Sequence, residues 1–264
     1  MKNPTLSIIT INYNSGMGLE KTVDSIIKFL DKPEIEFILV DGLSTDDSLT
    51  RIGNKKNTFL SIISENDTGI YDAMNKGLRK AKGKWIWFLN SGDVALQSST
   101  LLLDILNNEL ENYNFLYFNY ITDMGDLINQ NLTLIELFRG MINHQTIFYR
   151  RDLINSYDPS FGLGADFAHL ILNYSNIKHK KYDVTIVEYD TNGKSSAMDR
   201  GTKVKNWYNR FRAFKHSSLR LDYKIIGMIF SLLVCIAKII YPAVGSRLIK
   251  LKYDRKKVVR FKRQ

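Results

Sequence analysis

Cysteine, histidine and long apolar runs are scarce in this 264-residue chain, and each shortage excludes a class of protein. The single cysteine, Cys235, cannot form an intramolecular disulfide, which is typical of a reducing compartment. Four scattered histidines and one cysteine offer no zinc-ligand spacing. The longest apolar or small-residue run, 225–237, has 13 residues, whereas a membrane-spanning helix needs about 20.

The sequence signatures of several common enzyme classes are also missing. The chain has no Gly-x-Gly-x-x-Gly and no Walker loop, which argues against a Rossmann dehydrogenase and a P-loop kinase. It has no Gly-x-Ser-x-Gly nucleophile elbow. The first residues enter a strand-like segment directly, without the longer apolar stretch and cleavage site of a secretory signal. We therefore expect the body of the protein to stay in the cytoplasm.

Charge is distributed unevenly along the chain. Of 37 lysines and arginines, 17 lie in residues 203–264, together with only 2 of the 27 acidic residues. Residues 1–202 therefore carry 20 basic and 25 acidic side chains. They show no dense basic and aromatic patch of the kind that binds nucleic acid, so we expect no nucleic-acid partner. The basic segment is expected to contact an anionic surface.

Strand-like and helix-like segments alternate over the first 90 residues. The apolar runs of buried strands occur at 6–11, 37–40, 60–63 and 85–89. Apolar residues with helical spacing occur at 19–30 and 71–81. This alternation predicts an α/β fold with a doubly wound, mostly parallel sheet. Further strands are predicted at 115–121, 146–149 and 183–188, and further helices at 133–141 and 164–174.

The segment 201–264 differs in kind, and we predict that it is a basic, amphipathic helical tail. Its most hydrophobic window is 225–244, which contains Lys238 and Pro242 and has basic flanks. We expect this window to lie in a membrane interface, with nearby lysines and arginines meeting lipid phosphates. A true membrane span is one alternative. A core helix of the same domain, followed by a solvated basic tail, is the other.

Acidic side chains follow several of the predicted strands. Asp41 and Asp93 come just past the ends of two strands, and Asp67 lies in the loop after a third. Aspartate is common in turns, so one such residue alone is weak support for a site. However, ligands of open α/β sheets bind outside the carboxyl ends of the strands. Several acids at one sheet edge therefore indicate a site for a metal or a phosphate ligand.

Four segments form a recognisable set. They are Ser7-Ile-Ile-Thr-Ile-Asn-Tyr-Asn, Leu39-Val-Asp-Gly-Leu-Ser-Thr-Asp-Asp, Asp67-Thr-Gly-Ile-Tyr-Asp-Ala-Met-Asn-Lys-Gly and Leu89-Asn-Ser-Gly-Asp. In combination they resemble the family 2 glycosyltransferases, inverting enzymes of the GT-A fold, and the resemblance covers roughly residues 5–195. It implies a GT-A domain at 1–200, with a nucleotide-binding half at 1–95 and an acceptor half at 96–200.

The resemblance implies a role for each of these segments. The following residues would bind a nucleotide-sugar donor: Thr10, Asn12, Tyr13, Asp41, Asp67, Asp72, Asn75, Asn90 and Ser91. Asp93 would hold a divalent cation, Mg²⁺ or Mn²⁺, that stabilises the charge of the diphosphate leaving group. Asn90 and Gly92 stand where the family's signature often carries further acids, so Asp93 is the one strong metal ligand that we predict.

Later segments resemble the acceptor side of such an enzyme. Leu163-Gly-Ala-Asp-Phe-Ala-His-Leu resembles the segment that supplies the catalytic base. Asp166 would then take the proton of the acceptor hydroxyl, although the helix dipole alone would also favour an acid there. Asn143-His-Gln-Thr-Ile-Phe-Tyr-Arg-Arg implies that His144 contacts the diphosphate or the acceptor. Asn192-Gly-Lys-Ser-Ser resembles a flexible loop near the active site.

Together these features predict a glycosyltransferase that moves a sugar, with inversion, from a nucleotide-sugar donor to a lipid-linked saccharide. We expect a UDP-sugar, with GDP- and dTDP-sugars as alternatives, and a role in O-antigen, capsule or exopolysaccharide biosynthesis. The lipid-linked acceptor and a location on the cytoplasmic face of the cell membrane are inferred from the tail. A non-catalytic nucleotide-sugar-binding or scaffolding protein at the membrane is the alternative. A sugar-nucleotide pyrophosphorylase is disfavoured, because its glycine-rich basic loop after the first strand is missing.

Overall fold

A computed structural model describes residues 3–29, 31–59, 61–192 and 199–240. Most of the predicted loop 192–196 and the basic segment 241–264 lie outside the described residues. Within them, nine strands form one sheet. The strands are β1 Leu6–Asn12, β2 Ile35–Asp41, β3 Ser61–Ser64, β4 Trp85–Phe88, β5 Val94–Ala95, β6 Phe115–Thr122, β7 Leu127–Ile128, β8 Ile147–Arg150 and β9 His179–Tyr189.

Helices connect these strands and cover both faces of the sheet. The α-helices are α1 Gly16–Ile26, α2 Ser48–Arg51, α3 Ile70–Lys80, α4 Ser99–Glu109, α5 Leu134–Arg139, α6 Ala165–Leu172, α7 Arg200–His216 and α8 Leu221–Ile240. Short 3-10 turns lie at Ile27–Phe29, Gly53–Thr58, His144–Thr146, Pro159–Gly164 and Tyr174–Asn176.

The sheet has the spatial order β3-β2-β1-β4-β8-β6-β9-β5, with β7 paired to β6. β1 pairs in parallel with β2 and β4, and β2 with β3. β8 is antiparallel to β4 and β6, whereas β9 is parallel to β6. β5 and β7 are antiparallel to their partners. Six of the nine strands in the described residues therefore run in one direction, which confirms the mostly parallel, doubly wound sheet.

Alternation along the strands builds a core on each face of the sheet. On β1, Leu6 and Ile8 belong to one apolar cluster, which includes the α1 and α4 side chains. Ile9 and Ile11 belong to the other cluster, with α3, α6 and Phe214 of α7. Both faces are buried, which explains why β1, β2 and β4 are almost continuously apolar.

Three predicted elements differ from the structure in where they begin or end. The helix predicted at 19–30 begins earlier, at Gly16, and α5 is shorter than the predicted 133–141 because it ends before Gly140. The strand predicted at 183–188 begins at His179, since its first residues pair with the start of β6. Helix α4 was not predicted, although Ser98 caps it by accepting a hydrogen bond from Leu101 N–H.

The first helix of the predicted tail packs against the α/β body. Phe214 is fully buried, with its ring centroid 5.6 Å from that of Phe138 and 5.8 Å from that of Phe167. Asn209 Nδ2 donates to the carbonyl of Phe161 over 2.8 Å. These contacts join α7 to the core of the body, although the domain boundary itself stays a prediction.

Helix α8 packs on α7 with one face and leaves the other exposed. Gly227 lies against the Phe214 ring, and Val234 and Cys235 cluster with Trp207. Its exposed apolar residues, which we call the apolar stripe, are Leu221, Ile225, Ile226, Ile229, Leu232, Leu233, Ile236, Ile239 and Ile240. At about 100° per residue they fall within an arc of roughly 140° on one side of the helix. In the described part of the chain, no helix meets the length and hydropathy needed to cross a membrane.

Candidate active site

A cavity of about 730 Å³ opens at the carboxyl ends of β1 and β4, between them and helices α3, α6 and α7. Eight of the predicted site residues line it: Asn12, Tyr13, Asp67, Asn90, Ser91, Asp93, His144 and Asp166. They come from segments that are far apart in the sequence. The sheet topology therefore collects the predicted donor and acceptor residues around one space.

The other four predicted donor-binding residues are not among those that line this cavity. Thr10 is fully buried, and its hydroxyl has no hydrogen-bond partner in the described structure. Asp72 accepts the Thr68 N–H, which lowers the pKa of this carboxyl. Asn75 bonds both the N–H and the C=O of Tyr157. Asp41, Asp72 and Asn75 thus have protein partners, and a direct contact of any of the four with a donor stays a prediction.

Asp41 organises one end of the cavity from a fully buried position. Its Oδ1 accepts hydrogen bonds from Asn12 Nδ2 over 2.8 Å and from Ser44 Oγ over 2.6 Å. Its Oδ2 accepts from Ser44 N–H and from Ser64 Oγ. The carboxylate therefore ties the ends of β1, β2 and β3 together and holds Asn12 at the cavity wall.

Tyr13 and Asp67 approach each other across Gly42, at the end of β2. A Cβ at Gly42 would overlap Asp67 Oδ2 and lie 3.2 Å from Tyr13 Cδ2, so any side chain there would displace the Asp67 carboxylate. Tyr13 is half exposed at the cavity, and Asp67 Oδ1 accepts the Gly69 N–H. An aromatic face beside polar acceptors suits a nucleoside base.

Asp93 lies beside a second acid, Asp190, which follows β9. Asp93 Oδ1 accepts the Asp190 N–H over 2.9 Å, and both residues line the cavity. Burial raises the pKa of Asp93 to about 8, and the Asp190 carboxyl acts in the same direction. Neither acid forms an ion pair with a lysine or arginine among the described residues. Without a bound cation, burial beside Asp190 therefore disfavours the ionised form of Asp93.

This environment suits an oxygen-coordinated divalent cation. Gly92 has a φ of +105°, and a Cβ there would lie 2.6 Å from Asp190 Oδ2, so glycine allows the second acid to approach the loop. In the described part of the chain no group of three or more His, Cys, Asp or Glu side chains could hold a metal. Asp93 and Asp190 could hold Mg²⁺ or Mn²⁺ if a bound diphosphate and water supplied the remaining ligands.

The predicted base, Asp166, is held at the first turn of α6. Its Oδ1 accepts the Phe167 N–H over 2.7 Å, and its Oδ2 lies 3.0 Å from His144 Nδ1. The other ring nitrogen of His144 lies 3.3 Å from Asn90 Nδ2. Asp166 is almost completely buried and lines the cavity, as a general base must to meet its substrate.

Several buried ionisable groups surround Asp166. Burial and then the Asp166 charge raise the pKa of Tyr71. Burial lowers the pKa of His169 to about 4, so this ring is neutral at physiological pH. Burial also lowers the pKa of Arg210 to about 9, against the attraction of Asp166. Arg210 therefore remains a cation, and it stacks 3.5 Å above the Phe167 ring.

The comparison with known families decides what kind of protein this is. The model named Glycosyl transferase family 2 matches residues 7–153. The chain belongs to glycosyl transferase family 2. A PGL/p-HBAD biosynthesis glycosyltransferase of Mycobacterium bovis is 32% identical over 196 residues, which are 67% of this chain and 72% of the relative. The chain is therefore a glycosyltransferase with a relative in glycolipid biosynthesis.

Solved structures support the GT-A fold of this glycosyltransferase. Staphylococcus aureus TarS 1–349 in complex with UDP-GlcNAc has a TM-score of 0.69 at 18% identity, covering 86% of this chain and 71% of TarS. Glucosyl-3-phosphoglycerate synthase of Mycobacterium tuberculosis, in complex with Mn²⁺, UDP and its product, has a TM-score of 0.55 at 18% identity and covers 78% and 80%. At these identities the similarity establishes the fold alone.

Some cavity residues of this glycosyltransferase were missed from the sequence. They are Asp190, Tyr71, Gln145, Asn206 and Arg210. Asp190 comes just after the predicted strand 183–188 and so carries the same signal as Asp41 and Asp93, an acid close to the end of a strand. Arg210 and Asn206 lie on α7, whose basic and aromatic composition had suggested a tail.

Proposed function

We propose that this glycosyltransferase transfers a sugar from a UDP-sugar to a hydroxyl of a lipid-linked saccharide, with inversion, in cell-surface polysaccharide or glycolipid biosynthesis. The observation that supports it is that one cavity holds both the Asp93 and Asp190 pair and, apart from that pair, the Asp166 carboxylate. Asp93 lies in the loop after β4, Asp190 follows β9, and Asp166 lies at the start of α6. The pair suits a cation-bound leaving group, and Asp166 suits a base.

The proposed reaction is a single displacement. The acceptor oxygen forms a bond to C1 of the donor sugar on the face opposite the diphosphate. The bond from C1 to the phosphate oxygen breaks, and UDP leaves with the electron pair. The acceptor proton moves to the Asp166 carboxylate. Asn12, Tyr13 and Asp67 would bind the nucleoside.

A divalent cation held by Asp93 and Asp190 would stabilise the negative charge on the departing diphosphate. The buried position of Asp93 favours this role, because charge interactions are stronger away from water. Removing the cation with a chelator is expected to abolish transfer. Mg²⁺ and Mn²⁺ are both expected to restore it.

A donor screen tests this function. Radiolabelled UDP-, GDP- and dTDP-sugars are incubated with a bacterial lipid extract as the acceptor, with and without chelator. We expect chelator-sensitive transfer from a UDP-sugar, a loss of at least about 100-fold in kcat for Asp166→Asn, and UDP affinity within about threefold of wild type. Wild-type transfer by both Asp93→Ala and Asp166→Asn would refute the site. UDP binding without any transfer would favour the non-catalytic alternative.

The membrane location is a proposal that the apolar stripe of α8 supports. Nine exposed aliphatic side chains lie on one face of this helix. Such a face is unfavourable in water, because moving one such side chain completely out of water is worth about 1.5–3 kcal/mol of free energy. The following residues, 241–264, carry nine lysines and arginines and one aspartate. An apolar face beside dense positive charge suits the cytoplasmic surface of an anionic bilayer.

Vesicle binding tests this location. The triple variant Ile226→Ser, Ile229→Ser, Leu233→Ser changes only exposed positions of the stripe. We expect it to bind phosphatidylglycerol vesicles at least about tenfold more weakly than wild type. Met124→Ser, an exposed apolar position on the body, is the matched control and is expected to bind normally. Equal binding of the triple variant and wild type would exclude the stripe as the contact surface.

A further inference from the structure

His144 uses both ring nitrogens within the protein. Nδ1 lies 3.0 Å from Asp166 Oδ2, and Nε2 lies 3.3 Å from Asn90 Nδ2. A carboxylate can only accept, so Nδ1 carries the proton and donates to Asp166. Nε2 is then the acceptor for the Asn90 amide. The ring is held at both edges by protein groups.

The segment that carries His144 is fixed by a buried hydrogen-bond network. Asn143 Oδ1 accepts the Gln145 N–H over 3.0 Å, which caps the short turn at His144. The Asn143 N–H donates to Gln130 Oε1 over 2.7 Å. Gln130 Nε2 in turn donates to the Phe118 carbonyl and to Thr146 Oγ1. This network leaves His144 little freedom to swing toward a ligand.

We infer that His144 is a positioning residue for the base Asp166 and that Asn90 fixes the tautomer of its ring. The inference rests on the proposed function, because it gives Asp166 the role of base. The Phe167 N–H holds Oδ1, and His144 holds Oδ2. The lone pairs that remain can face the cavity. Asn90 belongs to the same loop as Asp93, so the contact joins the donor side of the site to the base.

Removing the His144 donor takes away one of the two hydrogen bonds that hold the Asp166 carboxylate, and the bond from the Phe167 N–H remains. The other ionisable groups that face Asp166 stay in place in such a variant: Tyr71, Tyr149, Tyr157, His169 and Arg210. A change in kcat is then assigned to the lost contact.

Two amide substitutions separate the ring nitrogens. His144→Asn keeps an N–H near the position of Nδ1, whereas His144→Gln places its amide near Nε2. We expect His144→Gln to lower kcat about 10–100-fold, with donor KM within about threefold of wild type. The His144→Asn variant is expected to recover at least about a third of the activity that His144→Gln loses. His216→Gln, at an exposed site at the end of α7, is the matched control and is expected to match wild type.

The tautomer is measured without any substrate. In ¹⁵N-histidine NMR near pH 7.5, the signals that vanish in His144→Asn are expected to show a protonated Nδ1 and a bare Nε2. A proton on Nε2 alone, or on both nitrogens, would overturn the inference. So would an equal kcat for the Asn and Gln variants, or a change confined to donor KM. If wild type transfers no sugar, the proposed function fails, while the NMR result still tests the contact.

Discussion

Replacing Asp93 by asparagine is expected to stabilise the protein while removing its activity. Asp93 is 3% exposed, and its carboxyl has no lysine or arginine partner within ion-pair distance in the described structure. An asparagine oxygen can still accept the Asp190 N–H that now bonds to Oδ1. The substitution therefore removes an ionisable group from a buried site and keeps the shape and the backbone contact.

The size of the effect follows from the pKa of this carboxyl. Burial raises the pKa of Asp93 to about 8, whereas an aspartate in an unfolded chain titrates near about 3.9. Between these pH values the folded state binds one more proton than the unfolded state. The contribution of the Asp93 carboxyl to the free energy of unfolding is therefore largest below about pH 4 and falls as pH rises. The slope is up to about 1.4 kcal/mol per pH unit. From about pH 5 to about pH 7.5 the loss is about 3 kcal/mol.

The Asp93→Asn variant lacks this slope. Because about 1 kcal/mol shifts Tm by roughly 2–4 °C in a chain of this size, the Tm difference between variant and wild type should grow by roughly 6–12 °C over that pH range. Differential scanning calorimetry in EDTA measures it. Asp104→Asn, at an exposed position on α4, is the matched control and should show no such trend. A Tm difference that stays constant with pH, or a less stable variant near pH 7.5, would refute the reasoning.

Three further substitutions test the fold and the donor site. Phe214→Ala should destabilise the protein by about 3–5 kcal/mol in urea unfolding, because its ring is fully buried against the body; a surface-like loss below about 1 kcal/mol would mean that α7 is detached. Gly83→Ala should cost about 1–3 kcal/mol in the same assay, since its Cβ would lie 2.5 Å from the Ser7 nitrogen on β1, and no loss would contradict that close approach. Tyr13→Ala should weaken UDP binding about tenfold in calorimetry if the base stacks on the ring, and unchanged affinity would move the base elsewhere.

The first half of the fold was predictable because its signals are local. The predicted strands there are short apolar runs, and the runs at 6–11, 37–40 and 85–89 are followed directly by Asn or Asp. The runs at 6–11 and 60–63 are each followed by a segment with helical spacing. β1, β2 and β4 are buried on both faces, so their runs are unusually clear. The second half mixes strand directions, and its two-residue strands β5 and β7 carry too few residues for any periodicity.

The site was only partly predictable, because its second acid depends on a contact that is distant in sequence. Asp93 and Asp190 are brought together by the pairing of β5 with β9, which no local pattern records. Gly92 shows the same dependence on a distant contact. Gly92 was interpreted as a missing acid of the metal signature, whereas in the structure its missing side chain makes room for Asp190 Oδ2. The second carboxylate of the pair thus comes from the residue that follows β9.

The C-terminal helices show why composition alone misplaced a functional residue. Seventeen basic residues made 203–264 look like one solvated or membrane-bound tail, but Arg210 stacks on Phe167 and donates from Nη2 to the carbonyls of Leu137 and Gly140. Phe167 follows Asp166 directly, and α8 packs on α7 through Gly227. The apolar stripe is therefore joined to the proposed base by two packed helices. If that stripe rests on a bilayer, this packing fixes the distance between the lipid surface and Asp166, which would select acceptors by the length of the saccharide above the membrane.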